Sequence, residues 1–148
     1  MNANKILKLM KEKEVEYVDL RFTDPRGKLQ HVTMDGKMVD AGMLDEGIFF
    51  DGSSIAGWKA INESDMILKP DLERQVIDPF TSHSTLILFC DVLDAVKKNP
   101  YERDPRSTAK KAETYLKNTK IGDKAFFGPE AEFFVFDDVK FKNEMNET

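Results

Sequence analysis

The chain has 148 residues, of which 41% are hydrophobic and 33% charged, enough apolar material for a core and too much for wholesale disorder. Its net charge of −5 argues against a nucleic-acid binder, which would show a basic face. The longest apolar run, Leu86-Ile87-Leu88-Phe89-Cys90, is far short of a membrane span. The start, Met1-Asn2-Ala3-Asn4-Lys5, leads into an amphipathic segment and lacks the apolar stretch of a secretory leader. A single cysteine, Cys90, rules out an internal disulfide and a multi-Cys zinc site. The expectation is a soluble, acidic, cytoplasmic protein: one domain, or one small domain plus part of another.

Residues 4–13 predict a short helix with Ile6, Leu7, Leu9 and Met10 on one side. In 15–23, Val18, Leu20 and Phe22 alternate with Asp19 and Arg21, the pattern of a half-buried strand. Asp24-Pro25-Arg26-Gly27 is turn chemistry, so 28–34 should return as the second strand of a hairpin. One or two helical turns fit 37–46. From Gly47 to Pro70 no period is sustained, and the stretch reads as a long loop, a feature often tied to function. Short strands follow near 75–77 and 84–91.

Asn99-Pro100 and Asp104-Pro105 mark a junction, with Asp104 as helix cap and Pro105 at the first helical position. The helix should run to about residue 118 and present Ala109, Ala112, Tyr115 and Leu116. A final strand is expected from about 125 to 136. Six of the eleven Phe lie in the last 23 residues, more apolar surface than one helix and one strand can cover. The expectation is therefore that the natural chain continues beyond Thr148.

Two features carry chemistry. On a strand, Glu130 and Glu132 of Phe127-Gly128-Pro129-Glu130-Ala131-Glu132-Phe133-Phe134 would share a face, roughly 7 Å apart, among aromatic neighbours. Two buried carboxylates need a divalent cation, an arginine cluster or protonation; among metals Mg²⁺ or Mn²⁺ suits them best. The plainer alternative is that they face water or meet arginines. The second feature is Asp51-Gly52-Ser53-Ser54 with Trp58, the only Trp. It is either an ordinary turn or a functional loop whose acid attracts a cation and whose Trp needs covering by a partner or a flat ligand. His31 and His83 stand singly and fit surface or hydrogen-bonding roles, Cys90 fits a core position, and Lys110 and Lys111 fit a solvated helix face. No phosphate-binding Gly-Lys-Ser/Thr loop is present.

Five blocks, in order, resemble the amino-terminal part of the bacterial type I glutamine synthetase family. They are Val18-Asp19-Leu20-Arg21-Phe22-Thr23-Asp24, Phe50-Asp51-Gly52-Ser53-Ser54, Asn62-Glu63-Ser64-Asp65-Met66-Ile67-Leu68, Arg103-Asp104-Pro105-Arg106 and the 127–134 block quoted above. The resemblance covers essentially the whole chain; Ala131 departs from it, since many relatives carry a Pro there. It implies an α+β architecture: a β-grasp domain over 1–98, then a linker and the first helix and strand of the catalytic α/β domain over 99–148. It implies ATP-dependent ligation of ammonia to L-glutamate through γ-glutamyl phosphate, with ATP as co-substrate and two Mg²⁺ or Mn²⁺ ions per site. The implied assembly is a dodecameric homo-oligomer with sites shared between subunits. By the same resemblance Asp51 binds and deprotonates ammonium, Ser53 shapes that loop, Trp58 lies near the nucleotide, and Glu130 and Glu132 each bind a metal ion. The remaining metal ligands, the ATP- and glutamate-binding arginines and an adenylylated tyrosine would lie beyond Thr148. Residues 1–148 alone are then expected not to catalyse, and in isolation to leave Trp58 exposed and 50–66 mobile. Two rivals are a stand-alone β-grasp interaction module and a ligase joining glutamate to another amine.

Overall fold

A computed structural model describes residues 2–58 and 64–142. The first element, α1 (Ala3–Glu12), starts where the Asn2 side chain accepts a hydrogen bond from the Lys5 amide at 3.1 Å, satisfying one of the free donors of a helix start. Ala3, Ile6 and Met10 share the buried face and Leu7 and Leu9 flank it, as the spacing predicts.

The alternating segment forms β1 (Tyr17–Thr23), paired antiparallel with β2 (Leu29–Asp35). The turn between them is organised by the Asp24 carboxylate, which accepts from the Arg26 and Lys28 amides, each at 2.9 Å, and from Gln30 Nε2. Gly27 there has φ +84, a conformation that glycine adopts without a Cβ penalty. A single 3₁₀ turn (Gly36–Met38) and α2 (Ala41–Glu46) follow, the latter capped by Asp40.

Three more strands complete one five-stranded sheet: β3 (Ile48–Asp51), β4 (Asp65–Ile77) and β5 (Thr85–Asp94). The spatial order is β2-β1-β5-β4-β3, with β1 and β5 parallel at the centre and the other neighbours antiparallel. Val18 faces Leu86 and Leu20 faces Leu88 across the central pair, and all four are fully buried. Helices α1 and α2 pack on the face these residues share, with Ile6, Leu44, Met66, Leu68 and Val92 completing the core. Cys90 lies in this core as expected, its thiol pushed up by burial.

Much of the expected 47–70 loop is therefore sheet. Ile48 pairs with Leu68 and Phe50 with Met66, so both ends of that stretch, Ile48–Asp51 and the chain from Asp65 onward, belong to the sheet. Strand β4 absorbs a register shift between Pro70 and Gln75, which hides its period in the sequence. The segment Asn62-Glu63 of the resemblance lies outside the described residues, as do 143–148.

Beyond β5 the chain pairs with it once more, through Leu93 and Pro100. Helix α3 (Pro105–Thr119) then begins as expected, with Asp104 as cap and Pro105 in its first turn. Its contact face differs from the expected one. Tyr115 is 73% exposed, Ala109 and Ala112 are exposed, and the helix is fixed instead by polar groups. Arg106 bonds Asp91 at 2.8 Å and also Asp71, and Lys110 reaches Asp91. The expected strand over 125–136 is absent: that stretch carries no regular structure and pairs with neither sheet edge. A strand exists only through a ladder partner, and without one Phe127 and Phe134 stay 89% and 86% exposed.

Candidate functional site

Strand β3 ends at Asp51, where the chain turns sharply into a 3₁₀ turn (Gly52–Ser54). The Asp51 carboxylate caps that turn, accepting from the Ser53 amide at 2.8 Å and the Ser53 hydroxyl at 2.6 Å. Hydrogen bonds from the Ser53 hydroxyl and amide hold the Asp51 carboxyl below the usual aspartate value of 3.8. The group is exposed and anionic at neutral pH, which suits it to attract a small cation.

Gly52 is buried beneath this turn, and its amide donates to the Ser64 carbonyl at 2.8 Å. A Cβ there would lie 2.3 Å from Met66 Sδ and 3.0 Å from the Ser64 carbonyl oxygen. The close approach of the turn to β4 therefore requires glycine at this position.

Trp58 is buried, only 5% exposed, which corrects the expectation that this chain alone leaves it uncovered. What covers it is the chain itself. Its ring centroid lies 5.5 Å from Phe22, 6.0 Å from Phe50 and 5.6 Å from Tyr101. Among the described residues its indole Nε1 has no hydrogen-bond partner. Its carbonyl accepts from the Tyr101 hydroxyl at 3.1 Å and from Arg103 Nη1 at 3.4 Å, and the same Nη1 reaches the Gly57 carbonyl at 2.9 Å.

Asp51, Ser53 and Trp58 thus belong to one cluster, linked through Phe50. Glu130 and Glu132 do not join it; both are exposed, in backbone without regular structure, and not buried as their aromatic neighbours imply. Their carboxylates are the hard oxygen donors that Mg²⁺ or Mn²⁺ takes. Two carboxylates are only part of such a coordination set, and among the described residues no group of three or more His, Cys, Asp or Glu assembles. Sequence reasoning missed Tyr101 and gave Arg103 no role, because their contacts with Trp58 and Gly57 span more than forty positions. His31 and His83 take hydrogen-bonding roles as expected, with Asp19 at 2.7 Å and Glu16 at 3.1 Å.

A mixed sheet with two helices on one face and a parallel central pair, followed by a helix anchored on β5, defines a β-grasp domain leading into a further segment. The family profile "Glutamine synthetase, beta-Grasp domain" matches residues 14–95, and "Glutamine synthetase, catalytic domain" matches 102–148. The chain belongs to the glutamine synthetase family. The glutamine synthetase of Rhizobium meliloti (strain 1021) is 65% identical over 140 residues, covering 95% of this chain and 30% of that protein. The glutamine synthetase of Methylococcus capsulatus is 57% identical over 146 residues, covering 99% of this chain and 31% of that protein. The chain thus spans about three-tenths of the length of these curated relatives. Among solved structures, the Plasmodium falciparum glutamine synthetase superimposes with a TM-score of 0.76 at 25% identity, over 84% of this chain and 24% of that one. GmaS in its ligand-free form, at 22% identity and a TM-score of 0.69, covering 77% of this chain and 26% of that one, shares the fold. No described helix is long and apolar enough to cross a membrane.

Proposed function

We propose that the complete protein carrying this chain ligates ammonia to L-glutamate with ATP, giving L-glutamine through γ-glutamyl phosphate, and that this chain contributes the ammonium side of the site. Residues 1–98 form the β-grasp part; 99–148 form the linker and opening of the catalytic part. The observation that carries the reading is Asp51: an exposed carboxylate, held ionised by Ser53, at the end of a strand and on a braced turn. It attracts ammonium by charge, then accepts its proton, and the freed ammonia displaces phosphate from the γ-glutamyl carbonyl. Ser53 fixes the carboxylate's orientation through its two bonds.

Trp58 acts in this reading by bracing the Asp51 loop from beneath and lies near the nucleotide in the assembled protein. Glu130 and Glu132 are the residues of this chain that would hold Mg²⁺ or Mn²⁺. When bound, the ion supplies charge neutralisation where ATP and glutamate approach each other. In this reading the complete protein is a homo-oligomer, dodecameric and cytoplasmic, in which neighbouring subunits complete the site; the exposed Asp51 carboxylate is open to such a partner.

The test is glutamine formation by the complete protein as its source makes it, with ATP, glutamate and ammonium, alongside a panel of other amines. Activity that depends on all three and falls at least about a hundredfold in Asp51→Asn, the scale of general acid–base catalysis, supports the reading. Wild-type turnover only with another amine, or Asp51→Asn at wild-type rates, overturns it.

A further inference from the structure

The loop bearing Asp51 has little internal bonding. Among the described residues the backbone bonds between Gly52 and Trp58 are the Gly52 amide to the Ser64 carbonyl at 2.8 Å and two turn contacts, Ile55 amide to Gly52 carbonyl at 3.1 Å and Trp58 amide to Ile55 carbonyl at 3.2 Å. Gly57, at φ +86, has open space where a Cβ would sit. At the far end of the loop, the longer-range hydrogen bonds among the described residues come from the junction segment. Tyr101 and Arg103 together deliver three hydrogen bonds to the Gly57 and Trp58 carbonyls.

That junction segment is itself firmly held. The Tyr101 amide donates to the Val92 carbonyl at 2.9 Å, and the Asp94 amide donates to the Asn99 carbonyl at 3.0 Å. Strand β1 pairs with β5 only as far as Phe89, and beyond that point the returning chain bonds to β5. Asp104, fully buried, ties the same segment to the start of α3. From Tyr101 a run of edge-on rings leads through Trp58 to Phe50, at 5.6 and 6.0 Å between centroids. Phe50 directly precedes Asp51.

We propose that Tyr101 and Arg103 are positioning residues for Asp51, a clamp through which the junction ahead of α3 fixes the Asp51 loop. Neither residue touches the reacting atoms. The clamp acts by holding the Gly57 and Trp58 carbonyls, so that the Asp51 carboxylate meets ammonium in one orientation. Arginine suits this because one planar guanidinium nitrogen reaches two neighbouring carbonyls, whereas a lysine ammonium is a flexible point donor. The inference rests on the reading of Asp51 as the ammonium-binding acid.

The experiment uses the complete protein as its source makes it, with Arg103→Ala, Arg103→Lys and Tyr101→Phe, and reads both steady-state kinetics and backbone amide exchange. In Arg103→Ala the KM for ammonium should rise about tenfold, the size of losing a hydrogen bond from a charged group. The KM for glutamate should stay within about twofold, since the clamp bears on the loop carrying Asp51 and Trp58 and neither residue is placed at glutamate. Amides of 53–58 should exchange faster while those of 85–94 do not change. Arg103→Lys should recover part of both effects, and Tyr101→Phe should show smaller ones. Unchanged exchange in 53–58, or an equal loss in every kinetic parameter with faster exchange across β5, would overturn the clamp. If the wild-type protein uses no ammonium, the reading of Asp51 fails by itself, and unchanged or faster exchange in 53–58 still decides whether the clamp exists.

Discussion

Ser53 donates twice to a single oxygen of Asp51, from its amide at 2.8 Å and from its hydroxyl at 2.6 Å. Both bonds favour the ionised carboxylate, so Asp51 titrates below 3.8. Removing the hydroxyl removes the larger of the two contributions. In Ser53→Ala the Asp51 midpoint should move up toward the ordinary aspartate value, and the acid limb of any activity that needs the carboxylate should move up with it. Carboxyl carbon NMR titration of the two proteins reads this directly; equal midpoints would show that the hydroxyl contact does not govern the charge.

Asp19 combines burial with three donors. Burial alone would push its carboxyl up, but bonds from Arg21 Nε, His31 Nδ1 and Thr33 Oγ1, each 2.7 Å long, outweigh it and hold the group below its ordinary value. A carboxyl depressed in the folded state stabilises fully above the unfolded value, near pH 4, and loses that contribution as pH falls through the folded value. Urea unfolding from pH 6 to pH 2 should therefore show stability dropping below about pH 4. Asp19→Asn should be less stable at pH 6 by about 1.5–3 kcal/mol and its acid slope flatter. A variant with the wild-type slope would assign the acid sensitivity to other carboxylates.

Where local chemistry decides structure, the sequence was legible. The alternation of Val18, Leu20 and Phe22 marks β1, and Asp104-Pro105 marks the start of α3 to the residue. Strand β3 was hidden because its four residues, between Gly47 and the irregular turn after Asp51, are too few to show a period, and all of β4 but its end near 75–77 because of the register shift between Pro70 and Gln75. Glu130 and Glu132 were placed by a strand pattern that is realised only when another strand lies alongside. Asp51 and Ser53 are adjacent enough for turn chemistry to link them. The Tyr101–Trp58 contact joins positions 43 apart, and no local rule reaches that far.

Trp58 tests the packing of its loop within this chain. It is the only Trp, and its burial against Phe22, Phe50 and Tyr101 predicts blue-shifted emission with little quenching by acrylamide. Trp58→Phe keeps an aromatic ring but loses volume, and should cost about 1–3 kcal/mol, within the range for core truncations that leave most of the side chain in place. Emission at the wavelength of free indole in the folded 148-residue chain, with strong acrylamide quenching, would contradict the covered position.

Asp104 is the joint between sheet and helix, and its carboxylate is fully buried. One oxygen accepts from the Ser107 amide at 3.0 Å, the Ser107 hydroxyl at 2.7 Å and the Val92 amide at 3.5 Å; the other accepts from the Arg106 amide at 3.2 Å. Asp104→Ala removes a helix cap, worth about 1 kcal/mol, and leaves buried donors unpaired at about 1–3 kcal/mol. The loss should therefore exceed that of an ordinary exposed cap, reaching about 2–4 kcal/mol by denaturant unfolding. Asp104→Asn keeps an acceptor oxygen and should recover more than half of it. Because Tyr101 and Arg103 lie between Asp104 and the loop they hold, Asp104→Ala should also raise acrylamide quenching of Trp58. A stability loss with Trp58 unchanged would mean that the cap secures α3 alone, and that the junction is held to β5 by the Tyr101 amide without it.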